Sequence, residues 1–322
     1  MSRILITGAG GMVGRNFLAH PSTVDFELVC PSSRELNLRD STATEAYIRE
    51  AAPDLILHLA GRSWGIQAIA RDPIRSFLDI LDVGRNVVVG ARNSGVKRLI
   101  NIGTSSMYPR DALSPLSEDC VLGGPFEPNV EPYALAKVAI LRLCQYHNRA
   151  AGALSFKTLI PCNLYGPHAR FSADDAVLIP AVMLRLHQAR MEDRPSEPIW
   201  GDGTARREFM YVGDLADCLV QAVRRFDTLP EILNVGTGED CTIEDYYREI
   251  AAVVGFKGTF ARDLTRPVGF RRKLLDSTRL RLWGWEPRIP LQEGLRATYR
   301  YFIEQVAHVS TASASRTDHA RL

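Results

Sequence analysis

A chain of 322 residues, 46% hydrophobic and 24% charged, is composed as a soluble globular protein with room for one large domain or two. Its net charge of +2 argues against nucleic acid as the main partner, though the basic clusters "TARRE" and "GFRRK" leave a place for a small anion. No apolar run nears the roughly 20 residues of a membrane span, no leader precedes the first strand-like run, and six scattered cysteines form neither a CxxC nor a zinc spacing, so we expect reduced thiols in a cytoplasmic protein with no membrane partner and no metal.

In chain order, "RILITG" is predicted as a strand and Met12–His20 as a helix. "FELVC" is a second strand, "TATEAYIREAA" a helix opened by a threonine, and "LILHLAG" a third strand. A long helix over Arg75–Ser94 follows, then strand "RLINIGT", helix Tyr133–Ala150 and strand "FKTLIPCNLYG". Strands that are apolar throughout and alternate with helices argue for an α/β fold, a Rossmann-type doubly wound parallel sheet covered on both faces. After Gly166 the loops lengthen and prolines and arginines accumulate, while "REFMYVGDLADCLVQAV" and "EILNVGT" still read as sheet-domain material. We therefore expect a nucleotide-binding domain over 1–165 plus about 208–237, and a smaller, discontinuous α+β substrate domain over about 166–207 plus 238–307. Residues 308–322, small and polar without periodicity, are expected to be a disordered tail.

"ITGAGGMVG" puts Gly8, Gly11 and Gly14 in the turn from the first strand into the first helix. Glycines there permit a tight turn and close approach of a diphosphate to backbone amides at a helix N-terminus. The plain alternative is an ordinary glycine turn. NAD-preferring domains carry an acid at the end of the second strand, where this chain has Ser32, Ser33 and Arg34. Hydroxyls and a guanidinium suit a 2′-phosphate, which favours NADPH/NADP as cofactor. Asp40 is either an adenine contact or a solvated loop acid.

Tyr133 and Lys137 stand four residues apart at the start of a predicted helix, on one face. A free phenol titrates near pH 10, and a neighbouring ammonium lowers that value by favouring the phenolate. A bare YxxxK is common, but Thr104 at the carboxyl end of a predicted parallel strand adds a hydroxyl where ligands of such sheets bind. The three together suit proton delivery to a carbonyl oxygen.

"TGAGGMVG", "HLAG", "YALAK" and the Thr104 strand resemble the extended short-chain dehydrogenase/reductase family of sugar-nucleotide epimerases, dehydratases and reductases. "RELNL", "EPYALAK", "LCQYHN", "CNLYGPH", "WGDGTARREFMYVGDLA", "NVGTGEDCTI" and "RKLLDSTRL" are similar to its GDP-L-fucose synthase branch, and the likeness runs from about residue 3 to 305. This resemblance implies a GDP-sugar substrate, with Thr104 orienting the sugar carbonyl, Tyr133 as general acid at the C4 oxygen, and Lys137 on the cofactor ribose. It further implies Met12, Val13, Leu59, Ala60, Pro161, Asn163 and Leu164 along the cofactor beside the residues above. Ser105, Ser106, Asn163, Val177, Arg185, Trp200, Arg207 and Lys273 are implied for the substrate. Core packing is the alternative for Trp200, and a surface ion pair for Arg207. The family's usual dimer, a four-helix bundle, would use Arg75–Ser94 and Tyr133–Ala150.

The chain departs from the branch at two positions. Ser106 stands where a cysteine, and Val177 where a histidine, moves protons at C3 and C5; His168 and His187 flank the region without occupying the motif position. Stripping a proton alpha to a ketone calls for a base titrating near the working pH, which neither serine nor valine supplies. The Asp-Glu pair of dehydratases is likewise replaced, by Ser105 and Ser106. The expectation is an NADPH-dependent reductase of the C4 ketone of a GDP-4-keto-6-deoxyhexose or GDP-keto-heptose, without C3/C5 epimerisation. The alternatives are a full epimerase-reductase with a rearranged acid/base pair, a C4 epimerase or dehydratase, and a non-catalytic NADP-sensing protein.

Overall fold

The computed structural model describes residues 1–61, 66–153, 155–172, 176–265 and 269–307. The expected tail at 308–322 lies outside them. The first half runs β1 (Ser2–Thr7), α1 (Met12–Leu18), β2 (Phe26–Val29), α2 (Ser41–Ala51), β3 (Leu55–His58), α3 (Ile66–Arg71), α4 (Pro73–Asn93), β4 (Leu99–Ile102), α5 (Glu131–Ala151) and β5 (Phe156–Pro161). The second half runs β6 (Asn163–Tyr165), α6 (Leu178–Met191), β7 (Ser196–Trp200), β8 (Arg206–Arg207), β9 (Phe209–Tyr211), α7 (Val212–Arg224) and β10 (Ile232–Val235). It closes with β11 (Cys241–Thr242), α8 (Ile243–Val254), β12 (Thr259–Asp263), β13 (Arg272–Lys273), α9 (Thr278–Leu282) and α10 (Leu291–Phe302).

Six parallel strands form the main sheet in the order β10-β5-β4-β3-β1-β2, the doubly wound arrangement expected. Side chains alternate across it, and both faces are apolar. Ile4, Ile6, Leu55, Leu57, Ile100 and Ile102 enter one core with Phe17 of α1 and Leu215, Cys218 and Leu219 of α7. Leu5, Ile56 and Leu99 enter the other with Ile48 of α2, Ile80, Val87 and Val88 of α4, and Ala136 and Ile140 of α5. A strand buried on both sides has no polar face, which is why its sequence reads as an unbroken apolar run.

A third core joins Tyr165, α6, β7, Phe209, α8 and α10, and its lining includes Tyr246, Tyr247 and Phe302. Leu275, Leu280, Trp283 and Trp285 pack into the first core. Three expectations are corrected. The single strand "FKTLIPCNLYG" breaks at Cys162: its N–H still bonds the Val235 carbonyl at 3.0 Å, after which β6 leaves the main sheet to pair with β9. Helix α2 is opened by Asp40 rather than a threonine, its carboxylate accepting the Ala43 N–H at 2.9 Å. The short α3, which the sequence pattern does not suggest, precedes α4. Among the described residues no helix is long and apolar enough to cross a membrane, and all six cysteines are free thiols.

Candidate active site

The chain moves outward from β1 to β2 and then returns to place β3 on β1's other side, so a crevice opens beyond the carboxyl ends of β1 and β3. Gly8 sits at that point with φ +79°, and a Cβ there would lie 2.6 Å from the Ala60 nitrogen. Gly8 therefore meets both conditions that demand glycine, a left-handed backbone and a close approach. Gly14, in the first turn of α1, packs its Cα face so closely on Ala9 that a Cβ would stand 2.6 Å away. Gly11 caps α1 with no side-chain bond, which leaves the first amides of the helix for another acceptor.

A cleft of about 910 Å³ spans this crevice. Its walls include Gly8, Gly11, Ser32, Ser33, Ala60 and Gly61, together with Arg15, Arg39 and Arg75. Arg34, the guanidinium singled out in the sequence, is exposed outside this lining. Arg39 pairs with Asp79, and Arg15 donates to the Gly10 carbonyl at 3.0 Å. Sequence reasoning misses both because which arginine turns inward depends on the turns around Ser32 and Asn37, not on distance along the chain. Asp40 is exposed, and its carboxylate caps α2. Met12 and Val13 begin α1, and Leu59 follows β3, its N–H bonded to Thr7 at 3.0 Å. Pro161 ends β5, and Asn163 and Leu164 lie in β6. The cleft volume, the glycine seat and the uncapped helix start fit a dinucleotide diphosphate.

Thr104 stands just beyond β4 and caps a turn of 3-10 helix, Ser105–Met107, its hydroxyl accepting the Ser106 N–H at 3.3 Å. That hydroxyl also bonds the phenol of Tyr133. Lys137, 6% exposed, donates to the Ile102 carbonyl at 2.7 Å, so Thr104, Tyr133 and Lys137 gather at the carboxyl end of β4. The electrostatics differ from the sequence expectation. Burial raises the Tyr133 pKa, and only the Thr104 bond draws it back. Burial also lowers Lys137 to about 8. His58, a residue to which the sequence draws no attention, is buried beside Lys137 with its Nδ1 2.7 Å from the Thr7 hydroxyl, and burial together with the Lys137 charge lowers its pKa to about 3. It therefore faces the lysine neutral.

A second cluster collects the basic residues. β13 pairs in parallel with β8, which sets Lys273 directly opposite Arg207. Lys273 is buried and Arg207 half-buried: burial takes Arg207 down to about 10, with Glu127 opposing, and burial plus the Arg207 charge takes Lys273 to about 7. Two cations side by side, with no carboxylate in salt-bridge contact with Lys273 among the described residues, make a seat for an anion. Asn163 joins them, its Oδ1 accepting from Lys273 at 3.4 Å while its amide donates to the Glu208 carbonyl at 2.9 Å. Arg185 lies 4.9 Å over the half-buried ring of Trp200 and 5.5 Å over Tyr247, so Trp200 is a cation–π partner at the rim and not a core residue.

Ser105 is buried and Ser106 half-buried in the 3-10 turn. Val177 caps α6 and is 41% exposed. His168 bonds Tyr301 at 3.1 Å, and His187 bonds Tyr299 at 3.0 Å, which commits both imidazoles to the packing around α10.

Residues 4–236 match the family model described as the NAD dependent epimerase/dehydratase family. The chain is 42% identical to a GDP-L-colitose synthase of Yersinia pseudotuberculosis, over 94% of this chain and 98% of the relative. It is 43% identical to a GDP-L-fucose synthase of Azorhizobium caulinodans, over 94% and 96%. Among solved structures it is similar to a GDP-6-OMe-4-keto-L-xylo-heptose reductase from C. jejuni, with TM-score 0.88, 26% identity and 94% and 98% coverage. A GDP-mannoheptose C4 reductase from Campylobacter jejuni with NADP bound gives TM-score 0.84, 26% identity and the same coverage.

Proposed function

This chain belongs to the NAD dependent epimerase/dehydratase family, and we propose from that premise that it reduces the C4 ketone of a GDP-4-keto-6-deoxyhexose or a GDP-keto-heptose without epimerising C3 or C5. It is an NADP-dependent oxidoreductase. NADPH, when bound, supplies the hydride. The chain's own residues then have three tasks. Thr104 donates to the sugar carbonyl and so fixes C4. Tyr133, kept protonated by burial, gives its proton to the C4 oxygen as the carbonyl is reduced. Lys137, largely charged at neutral pH, holds ribose hydroxyls. Arg207 and Lys273 neutralise the substrate diphosphate, with Asn163 orienting the lysine and the Arg185/Trp200 pair at the rim.

The observation that carries this reading is a contrast. The reducing trio is assembled, while Ser106 and Val177 stand where acid and base would have to act at C3 and C5. A serine hydroxyl is too weak a base to strip a carbon-bound proton, and valine exchanges none. The second reading, a bifunctional epimerase-reductase, is favoured by the identity with the colitose and fucose synthases. Incubation with GDP-4-keto-6-deoxymannose and NADPH in deuterated water separates the two: we expect no deuterium at C3 or C5, and its appearance at either would establish the second. Tight NADPH binding without oxidation by any GDP-4-keto sugar would instead identify a sensor.

A further inference from the structure

We propose that Glu208 is a positioning residue for the diphosphate subsite: its carboxylate ties the segment just after Lys273 to the loop after β10 and sets a negative charge near Lys273. This rests on the reading that those two cations bind the substrate diphosphate. Glu208 lies between β8 and β9 and is 1% exposed. One carboxylate oxygen accepts the Gly238 N–H at 2.9 Å and the Thr237 hydroxyl at 3.2 Å; the other accepts the Leu275 N–H at 2.9 Å, two residues beyond Lys273. Its carbonyl holds the Asn163 amide, whose oxygen faces Lys273. Glu208 thus reaches the lysine by side chain and by backbone. The seat is cut to the carboxylate: a Cβ on Gly236 would lie 2.4 Å from its Oε1.

Burying a carboxylate is costly unless donors meet it, and here three do. Burial raises the Glu208 pKa, and the bonds from Leu275, Gly238 and Thr237, all donated to the carboxylate, oppose the rise. The groups that act on Lys273 are Arg207 from β8, which disfavours its charge, and Cys162 after β5 and Glu208, which favour it; Phe270 and Asn163 are uncharged neighbours, and Glu127 acts on Arg207 from the loop before α5. Glu208 favours the Lys273 ammonium while its own oxygens are taken up by Leu275, Gly238 and Thr237.

Calorimetric titration of GDP-mannose, whose diphosphate diester has no proton to lose in this range, tests the proposal on the unsubstituted chain, Glu208→Gln and Lys273→Met. NADP+ binding serves as the check that each variant is folded. Affinity of the unsubstituted chain should fall as pH rises through about 7. In Glu208→Gln that fall should begin at lower pH, because a charge that favours the ammonium has been removed. Glu208→Asp should restore the original midpoint. A Glu208→Gln profile weakened by one factor at every pH, or not weakened at all, would reduce Glu208 to a strut and overturn the proposal. Should Glu208→Gln fail to fold, Gly236→Ala displaces the carboxylate with its charge kept, and an unmoved midpoint there would overturn it equally. If Lys273→Met binds GDP-mannose as the unsubstituted chain does, it is the diphosphate reading that fails.

Discussion

Tyr133 and Lys137 are one helical turn apart, yet each is tuned more by the apolar packing around it than by the other. The phenol is kept protonated, the form a reductase needs before the proton leaves. Replacing Tyr133 by phenylalanine is expected to lower the turnover of NADPH with a GDP-4-keto sugar by about a hundredfold or more, with NADPH affinity retained. An unchanged rate would take the phenol out of the chemistry. Lys137 carries a further consequence for stability. Its folded pKa of about 8 lies below the ordinary 10.5, so between those values the unfolded chain holds a proton that the folded chain has released. Folding is then favoured more strongly as pH rises through that window. Compared with Lys137→Met, the unsubstituted protein should gain stability on the order of 1–3 kcal/mol from pH 8 to about 10, read by urea unfolding. A constant difference between the two would mean that the lysine is not desolvated as described.

The elements show which local signals survive folding. Asp40 is legible as a helix start by its residue type, followed by Ser41 and Thr42, and the carboxylate does cap α2. Arg34 is exposed beside the cleft, since the direction of a side chain in a turn is not coded by its neighbours. The pairing of α4 with α5 leaves its own mark. Gly84 lets the two helices close until a Cβ would lie 2.2 Å from the Ile140 Cδ1 atom. Gly84→Val should therefore destabilise the protein by ~1–3 kcal/mol through overpacking, measured as a lower Tm. No loss would indicate that Ile140 can swing away without cost.

In the molecule as a whole, residues 275–285 return to the first core after the chain has built the third. We retain as a proposal the expected dimer through α4 and α5. These helices pack against each other and still expose Ile74 and Leu78 on one and Leu135 and Tyr146 on the other. Sedimentation velocity should find a dimer for the unsubstituted chain and a monomer for Leu78→Glu with unaltered circular dichroism; a monomer for both would dispose of the bundle.

Most of the sheet and the reducing trio are legible in the amino-acid sequence alone. The alternation of apolar runs with helices, the Gly8–Gly14 spacing and the Tyr133/Lys137 interval are relations between residues close in the chain, and backbone geometry translates them directly. Arg207 and Lys273 are indicated there too, but only by resemblance. Their strands are 66 positions apart, and it is the β8–β13 register that sets them opposite each other. The same holds for His58 beside Lys137, for Glu127 facing Arg207, and for Glu208 beneath the pair. Burial and charge proximity arise when distant segments pack, so the phenol's raised pKa and the lysines' lowered ones have no counterpart in one dimension.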